Sequence, residues 1–389
     1  MSLYNFSFIS SLDAVNHNDW NNLLPDKNPF LRHEFLVALE RNNCIGEKFG
    51  WYPHHLIVHD ESKRIVAASP IYIKTNSYGE FVFDWSWASA YENSALNYYP
   101  KLVTAVPYTP VTGARLLIVS KFSTEQKSCV AAAMTSAIIK EAKRLEMSSM
   151  HWLFFPEHEC ELYLQSNLIM RLGCQYHWRN QNYECFDHFL EKLISRKRKK
   201  IRRERQIIHE QNIHIRRLHG SEMDTSLWQQ VHSFYVDTFY RKRSLPTLSL
   251  EFFLELGTTL GSSILLILAY SGNQLIACAI NFKSDSTLYG RYWGSVKKYN
   301  SLHYEVCYYQ GIEYAIEHRL GTFEPGAQGE YKISRGFLPT KTWSAHWIAD
   351  LRFRNALQDY CRRETQLMQQ EYKQLMSLSP YRHSRETKP

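Results

Sequence analysis

The chain has 389 residues, 44% hydrophobic and 22% charged, the balance of an ordinary globular protein able to bury a sizeable core and long enough for two domains. Its net charge of +8 admits anionic partners, whether a phosphate-bearing cofactor, RNA or a membrane surface, without selecting among them. The eight cysteines form no CxxC pair and no zinc-finger spacing, and the apolar run Ile264–Tyr270 is far short of the roughly 20 residues that a spanning helix needs. With no basic n-region before Lys27, the expectation is a soluble, cytoplasmic protein with reduced thiols and no transmembrane segment.

In chain order, the first residues pattern as a strand and Asp13–Leu24 as a helix. "NPFLRHEFLVALE" reads as a helix opened by Pro29, with Phe30, Phe35, Leu36 and Leu39 at helical spacing. "HHLIVHD" and "RIVAASPIYIK" read as two strands, "EFVFDWSWA" as a third, "EQKSCVAAAMTSAIIKEAKRL" as an amphipathic helix and "MHWLFF" as a buried strand. The second half gives a strand at "IHIRRL", a helix from a cap at Asp224 or Thr225, and a helix at "LSLEFFLELGTTL". A hairpin follows, "SILLILAY" and "QLIACAINFK" joined by Ser-Gly-Asn, then a strand at "STLYGRYWG" and a helix at "LHYEVCYYQGIEYAIEHRL". The glycine-rich stretch "FEPGAQGEYKISRGFLP", a last strand "KTWSAHWIA" and a charged helix with a flexible tail complete the chain.

The two halves share an order of elements without close sequence repetition, which suits an α+β fold of mostly antiparallel sheet covered by helices. The expected divisions are residues 1–186, a basic connecting helix at 187–211, a second domain at 212–350, and a C-terminal helix and tail at 351–389.

"NPFLRHEFLVALE", "GEFVFDWSWASAYE", "YYPKLVTAVPYTPVTGARLL", "LHYEVCYYQGIEYAIE" and "FEPGAQGEYKISRGFLP" together resemble the FemAB-like group of N-acyltransferases, associated with peptidoglycan biosynthesis or recognition and belonging to the GNAT superfamily. The blocks span about residue 28 to residue 347. The resemblance implies two tandem GNAT-like domains and transfer of an acyl group from acyl-CoA to a small-molecule or peptide amine. GNAT enzymes hold the CoA pyrophosphate on a Q/R-x-x-G-x-G/A turn at a helix N-terminus. The matching place here, "GSVKKYNSLHYEV", lacks that glycine pattern. Fem-type ligases take aminoacyl groups from tRNA, which makes tRNA the alternative partner.

Acyl transfer to an amine needs a proton acceptor, donors for the tetrahedral oxyanion and a positioned donor. The stretch 323–339 offers Glu324, Glu330 and Lys332 as catalytic candidates, with Gly326, Gln328 and Gly329 able to bring backbone N–H groups to an anion. In extended chain Glu330 and Lys332 would share a face. Arg335 and His346 are candidates for holding a phosphate or carboxylate. The glycines serve equally well as a plain helix-to-strand connection, and either carboxylate could simply pair with Lys332 or Arg335. A second constellation is Asp84 among Trp85, Trp87 and Tyr91, suited to an amine-bearing acceptor, with burial expected to raise the pKa of Asp84; a strand end with core tryptophans is the competing assignment.

From Lys192 to Arg205 the chain carries nine Lys or Arg and one Glu. Lys197, Arg198, Lys199 and Lys200 form its anion-binding candidate, for a CoA phosphate, a tRNA backbone or an acidic lipid, against the alternative of a solvated helix that cannot be buried. No P-loop, GxGxxG, HExxH or GxSxG is present, and no metal is expected. Two functions stand: an N-acyltransferase, or a non-catalytic anion- or RNA-binding module on the same scaffold.

Overall fold

Most elements form where their patterns place them, and two of the exceptions involve charged residues that turn inward. The computed structural model describes residues 4–327 and 329–382. In chain order it contains β1 (Asn5–Ile9), α1 (His17–Asn21), α2 (His33–Arg41), β2 (Trp51–Pro53), β3 (His55–His59), β4 (Ile65–Ser69), β5 (Ile71–Lys74), α3 (Trp85–Asn93), β6 (Lys101–Thr104), β7 (Leu117–Ile118), α4 (Thr124–Arg144), β8 (Ser149–Phe155), α5 (Cys160–Gln165) and β9 (Ile169–Arg179). There follow α6 (Phe186–Lys192), α7 (Ser195–Glu210), β10 (Ile213–His219), α8 (Thr225–Arg241), α9 (Leu250–Thr259), β11 (Ile264–Ser271), β12 (Gln274–Lys283), β13 (Thr287–Ser295), α10 (Leu302–Tyr304), a π-helical turn (Glu305–Tyr309), α11 (Gln310–Glu317), β14 (Thr322–Glu324), a 3-10 helix (Glu330–Arg335), β15 (Leu338–Ile348) and α12 (Leu351–Ser377).

The chain divides into two units. The first runs to Gly173 and takes in Thr247–Leu256 and Lys341–Gln369; the second holds Cys174–Pro246, Gly257–Thr340 and the chain from Gln370 onward. In the first unit, β1, β3, β4 and β7 form one antiparallel sheet. A second sheet has the order β15-β8-β6-β5-β2, parallel only between β6 and β8. The stretch read as one strand, "RIVAASPIYIK", is cut in two at Pro70, which has no N–H for a ladder, and its halves β4 and β5 join different sheets. α4 begins at a capping box, in which Ser123 Oγ accepts from the Gln126 N–H and the Gln126 side chain accepts from the Ser123 N–H. Its Val130, Met134, Ile138 and Ala142, four apart, are buried in the core with Trp152, Phe155 and Tyr163.

The second unit is built on the order β10-β11-β12-β13-β14-β9, antiparallel except for β13 with β14. The expected Ser-Gly-Asn turn joins β11 to β12, with Gly272 at φ 56°. α8 starts at Asp224, whose Oδ1 accepts from the Leu227 N–H at 2.7 Å. Among the described residues no helix is long and apolar enough to cross a membrane.

Two further expectations are corrected, and one strand, β9, was not expected. "EFVFDWSWA" is not a strand: its first half is irregular and Trp85 opens α3. β9 carries no alternation clear enough to have been anticipated. The basic segment is helical as expected but does bury a face, because Ile201, Glu204 and Ile208 recur at helical spacing and are all buried. The charged part of the expected flexible tail, from His383, lies outside the described residues. Ile201→Ala and Ile208→Ala are each expected to cost about 2–4 kcal/mol in denaturant unfolding, whereas Lys199→Ala should stay within about 0.5 kcal/mol.

Candidate active site

The second unit opens where two parallel strands part. β13 pairs with β14 only at Thr287–Thr322, Leu288–Phe323 and Tyr289–Glu324, while on its other edge it stays with β12 as far as Ser295. Just past that point the β12–β13 register slips: Asn281 faces Gly290, Ile280 faces Tyr292, and Arg291 is the extra residue between them. A bulge of this kind re-aims the side chain it carries. The Arg291 side chain is buried, and its Nη2 lies 4.0 Å from Oε2 of buried Glu324, the last residue of β14. A Cβ on Gly290 would stand 3.3 Å from the Cα of Pro325, so the strand and the departing loop touch backbone to backbone. Gly326 sits at φ 93°, a conformation that favours glycine.

The loop then coils into the 3-10 helix, which carries Lys332 inward and leaves Glu330 exposed. At three residues per turn the two do not share the face expected of extended chain. Lys332 Nζ donates to Gly326 O at 2.7 Å and to Pro325 O at 3.2 Å, and no carboxylate pairs with it among the described residues. Burial, and then the Arg291 charge, push its pKa down to about 7. The same causes act on neighbouring imidazoles. Burial and the cations Arg179, Arg291 and Lys332 push His177 down to about 3, and burial with Arg335 and Lys332 brings His303 to about 4. Tyr308 and Tyr331 share a hydroxyl contact of 3.1 Å, and burial raises Tyr308 far above the ordinary tyrosine range.

Arg335 is turned to α7. Its Nη2 donates to Glu204 Oε1 at 2.7 Å, its Nε to Tyr309 OH at 3.0 Å, and its guanidinium lies 3.4 Å from the centre of the Tyr304 ring. Tyr309 in turn donates to the other oxygen of Glu204. On the same helix, exposed Lys199 and Lys200 and half-exposed Lys197 and Arg198 line the outer side, with Lys200 Nζ 3.9 Å from Glu204. Gly329 has φ 114°, and Gln328 lies outside the described residues.

Asp84, Trp85, Trp87, Tyr91 and His346 belong to the first unit. There the fully buried ammonium of Lys101 donates to Ser77 Oγ at 3.1 Å, Glu80 Oε2 at 2.9 Å and Asp84 Oδ2. Tyr98 OH donates to Asp84 Oδ2 at 2.6 Å and lies 3.2 Å from His151 Nε2. His151 Nδ1 meets His346 Nδ1 at 2.7 Å, and His346 Nε2 meets Ser344 Oγ at 2.9 Å. Burial holds both imidazoles well below their usual range, so they are neutral. The expected rise in the Asp84 pKa is corrected: burial pushes it up, but the Lys101 charge and hydrogen bonds prevail and hold it below the ordinary value. It is Glu80 that burial raises, to about 7. Trp87 is buried 4.9 Å from the His346 ring, Tyr91 packs on Phe353 at 4.0 Å, and Trp85 is exposed against Tyr78 at 4.9 Å.

The sequence reading missed Arg291, Lys101, Glu80, Tyr98 and His151. A usable signal existed for the two cations. Each interrupts a strand whose neighbours are apolar or aromatic, "LYGRYWG" and "YYPKLVTAV", and a cation there is buried only with a partner or a purpose.

Among solved structures, FemX superposes with a TM-score of 0.54 at 11% identity, covering 91% of this chain and all of that one. The C-terminal domain of a protein assigned as a lysylphosphatidylglycerol synthetase in Agrobacterium fabrum gives 0.52 at 7% identity, covering 90% and 96%. A tandem GNAT protein of the clavulanic acid biosynthesis pathway gives 0.44 at 8%, covering 89% and 99%. The likeness to FemX shows the fold, the α+β tandem GNAT-like architecture expected from the sequence. No curated protein matches the chain. Residues 11–383 match the family described as FemAB-like, peptidoglycan biosynthesis/recognition, and the chain belongs to that family.

Proposed function

We propose that the chain is an N-acyltransferase that moves an acyl group from an activated donor to an amine, with its chemistry at Lys332, Arg291 and Glu324. The observation that carries this reading is the setting of Lys332. An ammonium has three N–H donors, and a neutral amine has two donors and a lone pair. Lys332 Nζ has two carbonyl acceptors, Pro325 O and Gly326 O. They satisfy a neutral amine and leave its lone pair free to take a proton.

In the reaction, the acceptor nitrogen attacks the acyl carbonyl and Lys332 takes the proton it sheds. The carbonyl oxygen becomes an oxyanion, which the buried Arg291 guanidinium stabilises while Glu324 holds that guanidinium in place. The tetrahedral adduct collapses, the bond to the donor breaks, and the proton on Lys332 passes to the leaving thiolate or alkoxide. β13 beyond Tyr289 is paired by no second strand among the described residues, so its edge can hydrogen-bond an extended donor arm. The donor is acyl-CoA in this reading, and the acceptor a peptide or small-molecule amine. The eight free cysteines suit a reducing, cytoplasmic setting. A second reading takes the donor as aminoacyl-tRNA, supported by the exposed cations of α7 and by the missing pyrophosphate turn.

Lys332→Ala is expected to lower kcat by about 10²–10⁴-fold, the range for loss of a general base. In the wild-type chain kcat/KM should rise as pH passes about 7, where Lys332 becomes neutral, and the variant should lose that limb. Normal turnover by Lys332→Ala would refute the assignment. A lysine in the unfolded chain titrates near 10.4, so between about 7 and about 10.4 the unfolded state binds more protons and stability rises with pH. Lys332→Met should therefore be more stable than wild type below pH 7, and the gain should shrink as pH rises through that window, as thermal melting across pH would show. The donor is decided by protection against heat. A shift with acyl-CoAs supports the first reading, and a shift with charged tRNA alone supports the second.

A further inference from the structure

The first unit displays aromatic rings that nothing in the transfer chemistry uses. Between Asn76 and Trp85 the chain is pinned from below. Ser77, Glu80 and Asp84 converge on the Lys101 ammonium, and Lys74 Nζ donates to Asn76 Oδ1 and Tyr78 O, each at 3.2 Å. Trp51 Nε1 also donates to Tyr78 O, at 3.1 Å, and Arg171 donates to Phe83 O at 2.8 Å. Between these anchors Tyr78, Phe81, Phe83 and Trp85 are 68%, 40%, 56% and 42% exposed. Phe81 holds a φ of 61°, a conformation that costs a bulky residue energy. Polar side chains are tied inward and rings turned outward, the reverse of what water favours.

We propose that this loop is a docking surface for a saccharide chain, a run of uncharged pyranose rings. The platform's charge selects that partner. From Thr75 to Pro100 the sequence has no Lys or Arg, and the two carboxylates within the loop are buried under it. An anionic membrane draws on basic residues at about 1 kcal/mol each, and nucleic acid draws on them for phosphate contacts. Besides the buried lysines beneath it, the one cation that touches the loop among the described residues, Arg171, is already paired through Nε and Nη2 with Glu364, so the surface offers neither ligand an uncompensated cation, and it offers an ammonium no exposed carboxylate among the rings. What it offers is ring faces. Tyr78 and Trp85, 4.9 Å apart and inclined at 67°, form a corner for the C–H face of a sugar. Ser86, Ser89 and Asn93 are exposed on the adjoining α3 and can hydrogen-bond hydroxyl and acetamido groups. The family is described by peptidoglycan biosynthesis or recognition, and the glycan strand is the neutral, ring-built part of that polymer.

The test uses the full chain, a tetramer of β-1,4-linked N-acetylglucosamine followed by calorimetry, and sedimentation with purified peptidoglycan. Both should bind wild type. Tyr78→Ala with Trp85→Ala should weaken both at least tenfold at an unchanged melting temperature, while Tyr78→Phe, which keeps the ring, should bind as wild type. The inactive Lys332→Ala chain should bind fully, which separates this proposal from the catalytic one. Absence of binding to both probes, or equal binding by the double alanine variant, overturns it. So does ring-dependent binding to phosphatidylcholine or phosphatidylglycerol vesicles without binding to the sugar, which would make the loop a membrane contact.

Discussion

The constraint on which the rest of this structure depends is the burial of lysine. A charged amine out of water needs an opposite charge or must give up its proton. The chain uses both solutions. Lys101 is met by Glu80 and Asp84, and although burial opposes it, the two carboxylates hold its pKa above the ordinary value. Among the described residues Lys332 meets carbonyl oxygens alone, and burial, with the field of Arg291, lowers its pKa to about 7. The same residue type is a fixed cation in the first unit and a readily titratable amine in the second. Pairs of groups whose surroundings drive their pKa values apart are a guide to which one does chemistry.

The lysine proposed as base, Lys332, is positioned by backbone devices more than by side chains. The bulge at Arg291 turns a guanidinium toward Glu324, the last residue of β14, whose pairing with β13 ends at Tyr289. Gly326 supplies the left-handed turn that brings two carbonyls onto one nitrogen, and Gly336, at φ 96°, ends the 3-10 helix that delivers it. The far side of that helix is secured by Arg335 to Glu204 and Tyr309, which joins it to the one buried face of α7. The basic helix thus has two sides with different work: a packed side of Ile201, Glu204 and Ile208 that braces the loop, and an outer side of cations left to solvent.

Much of this fold was legible because local signals agree with the final contacts. α4 and α8 announce themselves by capping residues and apolar spacing, and the β11–β12 hairpin by its turn. The glycine-rich loop reads as a site candidate; the structure buries its Glu324 beside Arg291 and its Lys332 against the carbonyls of Pro325 and Gly326. Arg291 was hidden because a bulge is a property of two strands and leaves no mark on one. The inward turn of Arg335 was hidden for a similar reason, since its partner Glu204 lies 131 residues away in a stretch read as uniformly basic.

The misreading of "EFVFDWSWA" has a different origin. Its alternation is real: Glu80 and Asp84 fall on one parity, and Phe81, Phe83 and Trp85 on the other. Alternation identifies two faces but does not say which of them is buried, and the ordinary inference sends the aromatic face inward. Here Lys101 lies beneath the segment and reverses the choice, because an ammonium already buried is stabilised far more by two carboxylates than by phenyl rings. Once the carboxylates are drawn in, the rings have nowhere to go but outward, and a segment pinned at points to one ammonium cannot lie flat as a strand. The exposed aromatic loop and the corrected secondary structure are therefore one consequence of a single buried charge.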